Sequence, residues 1–118
     1  MGIQNWSENI LLVDLPQELQ QIAEDLEAVI RTARDKTDCD IVIDFYNVDI
    51  ITSSNLSSLL KLRKICADCG RRVVLSSVPA SIKNVFKITG INEIFEFSDE
   101  KFFALASLQL VNASEEND

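Results

Sequence analysis

Four short apolar runs along the chain predict the strands of a β-sheet. They lie at residues 10–13, 40–45, 71–76 and 94–97. The first three contain continuous apolar runs at residues 10–13, 41–43 and 73–75, and a continuous run is typical of a strand that is buried on both of its faces. A mostly parallel sheet with covered faces produces strands of this kind.

Segments with helical spacing separate the strands. Between residues 17 and 34 apolar side chains recur on one helical face and predict an amphipathic helix; they are Leu19, Ile22, Ala23, Leu26, Ile30 and Ala33. A second helix ends before Gly70, a third runs between Pro79 and Gly90, and a fourth follows the last strand. This alternation predicts an α/β fold with right-handed crossovers.

The two ends of the chain are less regular. Ile3 and Trp6 could place residues 1–9 on an edge strand, or this segment could simply pack against the sheet. Residues 112–118 are polar and acidic, and we expect them to form a disordered tail. Because no repeat or linker interrupts the chain, we expect one domain over residues 1–111.

The net charge and the number of cysteines limit the partners and the cell compartment that fit this chain. A formal net charge of -8 argues against nucleic acid or an anionic membrane surface as a partner, because phosphate binding requires clustered Lys and Arg. No apolar run approaches the roughly 20 residues of a membrane span, and no secretory signal pattern is visible at the start. Three cysteines, an odd number, fit a reducing compartment. We expect a cytoplasmic protein without membrane insertion.

Residue types that common enzyme mechanisms require are missing. Histidine is absent, which removes the commonest general base and the usual hydrolase triads. The three glycines do not form a Gly-rich loop that could cradle a phosphate. The acidic residues are scattered and fit solvated helix faces. We therefore expect neither an enzyme nor a cofactor.

Cys66 and Cys69 form a C-x-x-C, a spacing that occurs in redox and zinc sites. They lie at the C-terminal end of the second predicted helix, where the dipole disfavours a thiolate. A structural zinc needs four ligands, and only Cys39 remains. We favour packing of two small thiols on the sheet, with a redox function as the alternative.

Four phenylalanines cluster late in the chain, at positions 95, 97, 102 and 103. An aromatic cage for a ligand is one interpretation. Because Phe95 and Phe97 alternate on a predicted strand, we expect both of them in the core.

The junction before the second helix is rich in hydroxyl groups, at Thr52, Ser53, Ser54, Ser57 and Ser58. One such side chain is enough to cap a helix by accepting a free backbone N–H. A helix start also suits a phosphate, because the free amides and the dipole stabilise the dianion, whose charge and bulk can repel a partner. The pattern alone fits a simple cap or a phosphorylation switch.

This junction resembles the core pattern of the STAS domain family, in which a strand ending in Asp is followed by a short crossing and then by D-S-S-G-L-G. The matching positions are residues 40–45, Val48 and residues 52–56, within a similarity that runs from about Ile10 to Leu108. The chain is most similar to the anti-sigma factor antagonists, or anti-anti-sigma factors, of bacterial partner-switching systems. The resemblance implies a single STAS domain with a mixed, mostly parallel sheet of four to five strands and helices packed against it.

The resemblance also implies a mechanism. In these systems the unmodified antagonist binds an anti-sigma factor, often a serine kinase. The kinase phosphorylates the first Ser of D-S-S-G and ends the binding, and a phosphatase resets the system. Ser53 occupies that position, and Glu18 occupies the position of the last acid in the family's G-E-L-D element. The predicted phosphorylation site is Ser53, and the predicted partner-binding residues are Glu18, Thr52, Ser53, Ser54, Asn55 and Ser57.

The surroundings of Ser53 depart from the family pattern. Thr52 replaces an acid, Asn55 and Ser57 replace the two glycines, and residues 15–18 keep a single acid. Glycine lets a partner backbone approach closely, so we expect the replacing side chains to obstruct it. Two functions stay open: an antagonist regulated at Ser53, and a non-phosphorylated STAS adaptor subunit of a larger complex such as an ABC-transporter ATPase. The oligomeric state is open as well.

Overall fold

A computed structural model describes the backbone of residues 2–116 and the side chains of residues 2–112. The elements are β1 (Ile3–Ser7), β2 (Ile10–Asp14), α1 (Leu19–Asp35), β3 (Asp40–Asp44), α2 (Ser53–Asp68), β4 (Val73–Ser76), α3 (Ala80–Thr89), a 3₁₀ helix (Ile91–Glu93), β5 (Glu96–Ser98) and α4 (Lys101–Glu116). The five strands lie in the order β1-β2-β3-β4-β5, with β1 antiparallel to β2 and every other pair parallel. The predicted α/β fold with a mixed, mostly parallel sheet is confirmed.

The three central strands bury both faces in alternation. Odd-numbered residues of β2, β3 and β4 join a large core beneath α1, α2 and α3; they are Leu11, Val13, Ile41, Ile43, Val73 and Leu75. Even-numbered residues pack on the opposite face against α4, in a cluster of Ile10, Leu12, Val42, Val74, Ala104, Leu105 and Leu108. Because successive side chains of a strand point to opposite faces, coverage on both sides requires the continuous apolar runs seen in the sequence.

The N-terminal segment forms an edge strand, which is one of the two predicted alternatives. β1 pairs with β2 in a hairpin in which Ile3 lies opposite Val13. The N–H of Asp14 donates to the carbonyl of Gly2 at 2.7 Å and extends the pairing. Trp6 is partly exposed on this edge, and its ring centroid lies 6.0 Å from that of Phe102 in α4. The N-terminal segment therefore extends the sheet by one strand.

The last strand differs from its predicted position. It spans Glu96–Ser98 instead of residues 94–97, because the chain first turns through the 3₁₀ helix at Ile91–Glu93. Phe95 is buried, as predicted. The predicted core position of Phe97 is wrong: 37% of this residue is exposed, since β5 is an edge strand with only β4 beside it.

The C-terminal helix is longer than the sequence suggests. α4 continues to Glu116, so the backbone of residues 112–116 is helical where a disordered tail is predicted. Ala and Glu are good helix formers, which favours this continuation. Residues 117 and 118, the end of the predicted tail, lie outside the described residues. Neither α4 nor any other helix within residues 2–116 is long and apolar enough to cross a membrane.

Phe45 and Tyr46 are neighbours with opposite environments and provide a matched test of the core. Phe45 has no exposed surface and packs edge-on against Phe86, with ring centroids 5.9 Å apart, whereas Tyr46 is 77% exposed. We expect Phe45→Ala to lower the free energy of unfolding by about 3–5 kcal/mol through lost burial and cavity formation. Tyr46→Ala should change it by about 0.5 kcal/mol or less. Urea unfolding followed by circular dichroism measures both, and equal losses would contradict this packing.

Candidate partner-binding site

The four parallel strands end in a row of polar residues at one edge of the sheet. Asp14, Asp44, Ser76 and Ser98 are register partners across β2, β3, β4 and β5. The buried carboxylate of Asp44 accepts the Ser76 hydroxyl at 2.9 Å and the backbone N–H of Tyr46 at 3.3 Å. Asp44 thus links β3 to β4 and fixes the start of the crossing that leads to α2.

That crossing, residues 45–51, exposes two large apolar side chains. Val48 is buried, and its N–H donates to the carbonyl of Phe45 at 2.9 Å, which anchors the segment. On either side of this anchor, Tyr46 is 77% exposed and Ile50 is 60% exposed. The sequence analysis missed both as site residues; the available signal was the apolar character of this irregular crossing, in which only Asn47 and Asp49 are polar.

α2 begins with a reciprocal pair of hydrogen bonds between Thr52 and Asn55. The Thr52 hydroxyl accepts the N–H of Asn55 at 3.1 Å, and the Asn55 side-chain carbonyl accepts the N–H of Thr52 at 3.0 Å. This arrangement is a capping box in which Asn takes the place of the usual Glu or Gln. Thr52 is the N-cap residue, as its place in the hydroxyl run suggests.

The side chain of Asn55 lies inside the first turn of α2, and only 2% of the residue is exposed. The expectation that Asn55 obstructs an approaching partner is therefore wrong, because the side chain folds back to the helix start. Its place among the partner-binding residues stays a prediction, which this burial disfavours. Ser57, which replaces the second glycine of the family pattern, is exposed one turn later.

Ser53 and Ser54 occupy the first two positions of α2, and both are exposed. The capping box satisfies the N–H groups of Thr52 and Asn55. The N–H groups of Ser53 and Ser54 have no acceptor among residues 2–116. A helix start with free amides and a positive dipole end stabilises an anion placed on it, so a phosphate on the Ser53 hydroxyl would be accommodated.

The start of α1 lies at the same edge of the sheet. Glu18 is the exposed N-cap residue of α1, and its side chain makes no capping hydrogen bond. The side-chain amide of Gln17 donates to the carboxylate of Asp49 and ties this helix start to the crossing before α2. Leu19, the first residue of α1, is 42% exposed. Glu18 and the exposed serines of α2 are therefore brought to one end of the molecule.

The C-x-x-C lies at the other end of α2. Cys66 is buried in the large core, whereas Cys69 is exposed just after the helix. Burial raises the pKa of the Cys66 thiol to about 11. Across the described part of the chain, no group of three potential metal-ligating side chains comes together. The packing interpretation fits Cys66, whereas the predicted packing of Cys69 on the sheet is wrong because this residue is exposed after the end of the helix.

Residues 7–104 match the family model of the STAS domain. The chain belongs to the STAS domain family. Among curated proteins, the putative anti-sigma factor antagonist BtrV of Bordetella bronchiseptica is 29% identical over 87 residues, which are 74% of this chain and 75% of BtrV. The curated match and the family model confirm the predicted family.

Solved structures share the fold of this STAS domain. The anti-sigma factor antagonist SpoIIAA in its unphosphorylated form has a TM-score of 0.73 at 17% identity, covering 91% of this chain and 96% of its own. The phosphorylated form of Bacillus SpoIIAA has a TM-score of 0.71 at 18% identity, with 90% and 96% coverage. A sulfate transporter family protein from Wolinella succinogenes has a TM-score of 0.72 at 19% identity, with 89% and 87% coverage.

The capping box gives a first prediction for this site. Asn55→Ala removes the acceptor of the Thr52 N–H and should lower the free energy of unfolding by about 1 kcal/mol. The adjacent exposed residue provides the control, since Ser54→Ala should change stability by about 0.5 kcal/mol or less. Calorimetric melting of both variants, compared at a common temperature, measures the difference. A smaller loss for Asn55→Ala than for Ser54→Ala would rule out the reciprocal pair.

The buried thiol gives a second prediction. Because burial raises the pKa of Cys66 from 9.0 to about 11, the folded protein disfavours the thiolate. This contribution to stability is complete below pH 9 and is lost towards pH 11, at up to about 1.4 kcal/mol per pH unit. Cys66→Ala should flatten this part of the pH profile, whereas Cys69→Ala should leave it unchanged. Urea unfolding between pH 8 and pH 11 tests this, and identical slopes for wild type and Cys66→Ala would contradict it.

Proposed function

We propose that this STAS domain is an anti-sigma factor antagonist of a bacterial partner switch. It binds an anti-sigma factor of the serine kinase class through the N-terminal turn of α2 while Ser53 is unmodified. Phosphorylation of Ser53 ends the binding, and a phosphatase restores it. The observation that carries the proposal is the exposed Ser53 hydroxyl at the first position of α2, beside two N–H groups without acceptors in the described chain.

The relatives support the two states that this switch requires. BtrV is named as a putative anti-sigma factor antagonist, and SpoIIAA has been solved in unphosphorylated and phosphorylated forms. Proteins with this fold thus exist with and without a phosphate. Ser53 aligns with the phosphoacceptor of the family pattern, which is why we assign the modification in this chain to that residue.

The unmodified surface offers both apolar and polar contacts. Tyr46 and Ile50 expose apolar area in the crossing, and Ser53 and Ser54 expose hydroxyls beside it. Aromatic side chains with exposed apolar area are frequent anchors of protein interfaces. Glu18 and Ser57 extend the same end of the molecule, and Thr52 with Asn55 keeps the turn in shape. The protein contributes this surface and no chemistry of its own.

Phosphorylation changes that surface without rebuilding it. The kinase transfers the γ-phosphoryl group of ATP to the Ser53 oxygen, ADP leaves, and a base of the kinase takes the hydroxyl proton. The dianion is stabilised by the adjacent amides and the helix dipole. Its bulk and its nearly two negative charges then stand where the partner must approach. Binding is lost while the helix start stays folded.

A second function is a STAS adaptor subunit that docks without phosphorylation, for example on an ABC-transporter ATPase. Its support is the similarity to the Wolinella succinogenes sulfate transporter family protein, together with the altered residues around Ser53. In that function the same end of the molecule binds, and Ser53 is simply the first residue of α2. The two functions differ in how binding responds to a charge at Ser53.

The test is capture of partners from an extract of the native cell with three purified baits: wild type, Ser53→Asp and Ser81→Asp. Ser81 is a matched control because it is an exposed serine in the first turn of α3. We expect a serine-kinase-type anti-sigma factor on wild type and Ser81→Asp, and at least a tenfold loss on Ser53→Asp, equivalent to about 1.4 kcal/mol. Isothermal titration with the purified partner then measures each affinity.

Two further results separate the proposals. Ser53→Ala should bind the partner but should not be released by ATP, because it lacks the acceptor hydroxyl. If an ATPase or another partner is held equally by all baits, the phosphorylation switch fails and the adaptor function stands.

A further inference from the structure

The charges of this acidic chain are strongly segregated. Residues 61–87 contain seven Lys or Arg and one acidic residue, whereas the rest of the chain contains four basic and 18 acidic residues. The segment therefore has a formal charge of +6 and the remainder a charge of -14. It comprises the second half of α2, β4 and most of α3. Part of this positive charge is paired with acids from elsewhere in the chain, Arg71 with Asp40 and Arg72 with Glu96. The lysines that stay unpaired on this flank favour a partner with negative charge.

A groove of about 370 Å³ opens on this flank between α3 and β5. Its apolar wall is formed by Phe86, which is fully buried, and Phe97, which is 37% exposed; their ring centroids are 6.0 Å apart. Lys83, Lys87 and Asn92 form the rim, and all three are exposed. Because β5 is the last strand of the sheet, the groove lies at an edge that no other described strand covers.

The two lysines of the rim are available to a ligand. Neither Lys83 nor Lys87 forms an ion pair with any residue whose side chain is described, whereas the salt bridges that do form involve Lys64, Arg71, Arg72 and Lys101. The carboxylate of Glu96 on β5 is occupied by Arg72 through hydrogen bonds of 2.6 and 2.9 Å. The groove therefore combines an aromatic wall with two unpaired ammonium groups.

We propose that this groove binds an acidic peptide segment that carries one aromatic side chain, supplied by a second protein partner. The aromatic side chain lies against the exposed part of Phe97, whose ring is supported from below by the buried Phe86, and edge-to-face and offset contacts are favourable there. Flanking carboxylates pair with Lys83 and Lys87, which are neighbours on one face of α3 because they are four residues apart. The amide of Asn92 can hydrogen-bond the peptide backbone.

This surface is separate from the one proposed for the switch. The N-terminal turn of α2 is flanked by the acidic side chains of Glu18 and Asp49, whereas the groove presents Lys83 and Lys87. The two sites therefore present opposite charges and favour partners of opposite charge.

The test uses the intact 118-residue protein, labelled with ¹⁵N, and the synthetic acetylated peptide Glu-Asp-Glu-Phe-Glu-Asp as the probe. We expect amide shifts at Lys83, Lys87, Asn92 and Phe97, with a dissociation constant of about 0.1 mM. A peptide with Ser in place of Phe should bind at least tenfold more weakly. Ser53→Asp should bind the probe like wild type, so failure of the switch proposal would leave this result intact.

Matched variants assign the binding to the groove. Lys83→Glu with Lys87→Glu should weaken binding by about tenfold or more, since two attractive pairs become repulsive. Arg31→Glu with Arg34→Glu makes the same change of charge on exposed positions of α1 and should alter binding by less than about threefold, through the overall field alone.

Phe97→Ser should abolish the dependence of binding on the peptide Phe. Phe103→Ser, at another exposed phenylalanine, should preserve this dependence.

Several outcomes would overturn the proposal. One is a set of shifts centred on the N-terminal turn of α2, and another is an equal loss for the α1 control. Tighter binding of a single-stranded DNA 12-mer than of the peptide, lost with Lys83→Glu and Lys87→Glu, would identify a nucleic-acid site instead. Self-association in sedimentation velocity that the same two substitutions remove would identify an interface between copies.

Discussion

The buried carboxylate of Asp44 is the contact on which the geometry of the partner-binding end depends. It sits at the last residue of β3 and holds both the Ser76 hydroxyl of β4 and the N–H of Tyr46. The carbonyl of the same residue accepts the N–H of Leu15, which follows β2. Three strand ends and the crossing to α2 are thus fixed at one position. A buried carboxylate is stable only when its oxygens are hydrogen-bonded, so this contact couples the shape of the surface to the integrity of the sheet.

Most of the fold could be predicted because the central strands carry an unambiguous pattern. Coverage of both faces requires apolar residues at consecutive positions, and β2, β3 and β4 carry them at residues 10–13, 41–43 and 73–75. The two edge strands do not need apolar residues on both faces. The middle residues of β1 are exposed, so its sequence fits a loop as well as a strand. In β5, Phe97 is partly exposed to solvent. Whether a residue of an edge strand is buried depends on the strands and helices beside it, and the local sequence pattern does not show which these are.

The candidate site was predicted in part for a similar reason. The register of Ser53 with the family's phosphoacceptor placed the candidate site at a helix start, which the structure has at Ser53, and the hydroxyl run around it marked the N-cap. Comparison with a glycine-containing pattern suggested that Asn55 points outward, but its side chain closes a hydrogen-bonded pair with Thr52. Tyr46 and Ile50 went unnoticed because apolar residues in an irregular segment do not reveal whether they face the core or the solvent. The segregation of charge is visible in the sequence, but only the structure shows that two of the lysines lie at the rim of a groove.

The capping box of α2 has a consequence for the turnover of the protein in the cell, because it does not involve Ser53. Thr52 and Asn55 form the capping hydrogen bonds of α2, so the hydroxyl of Ser53 is not needed for the helix to begin. A group attached to that oxygen leaves the capping box in place, and a phosphate there would add to the stability of the fold through the adjacent amides and the helix dipole. Degradation of small domains follows the population of unfolded chains. A phosphorylated copy would therefore be degraded no faster than an unmodified one, and the cell could reverse the signal without synthesising the protein anew.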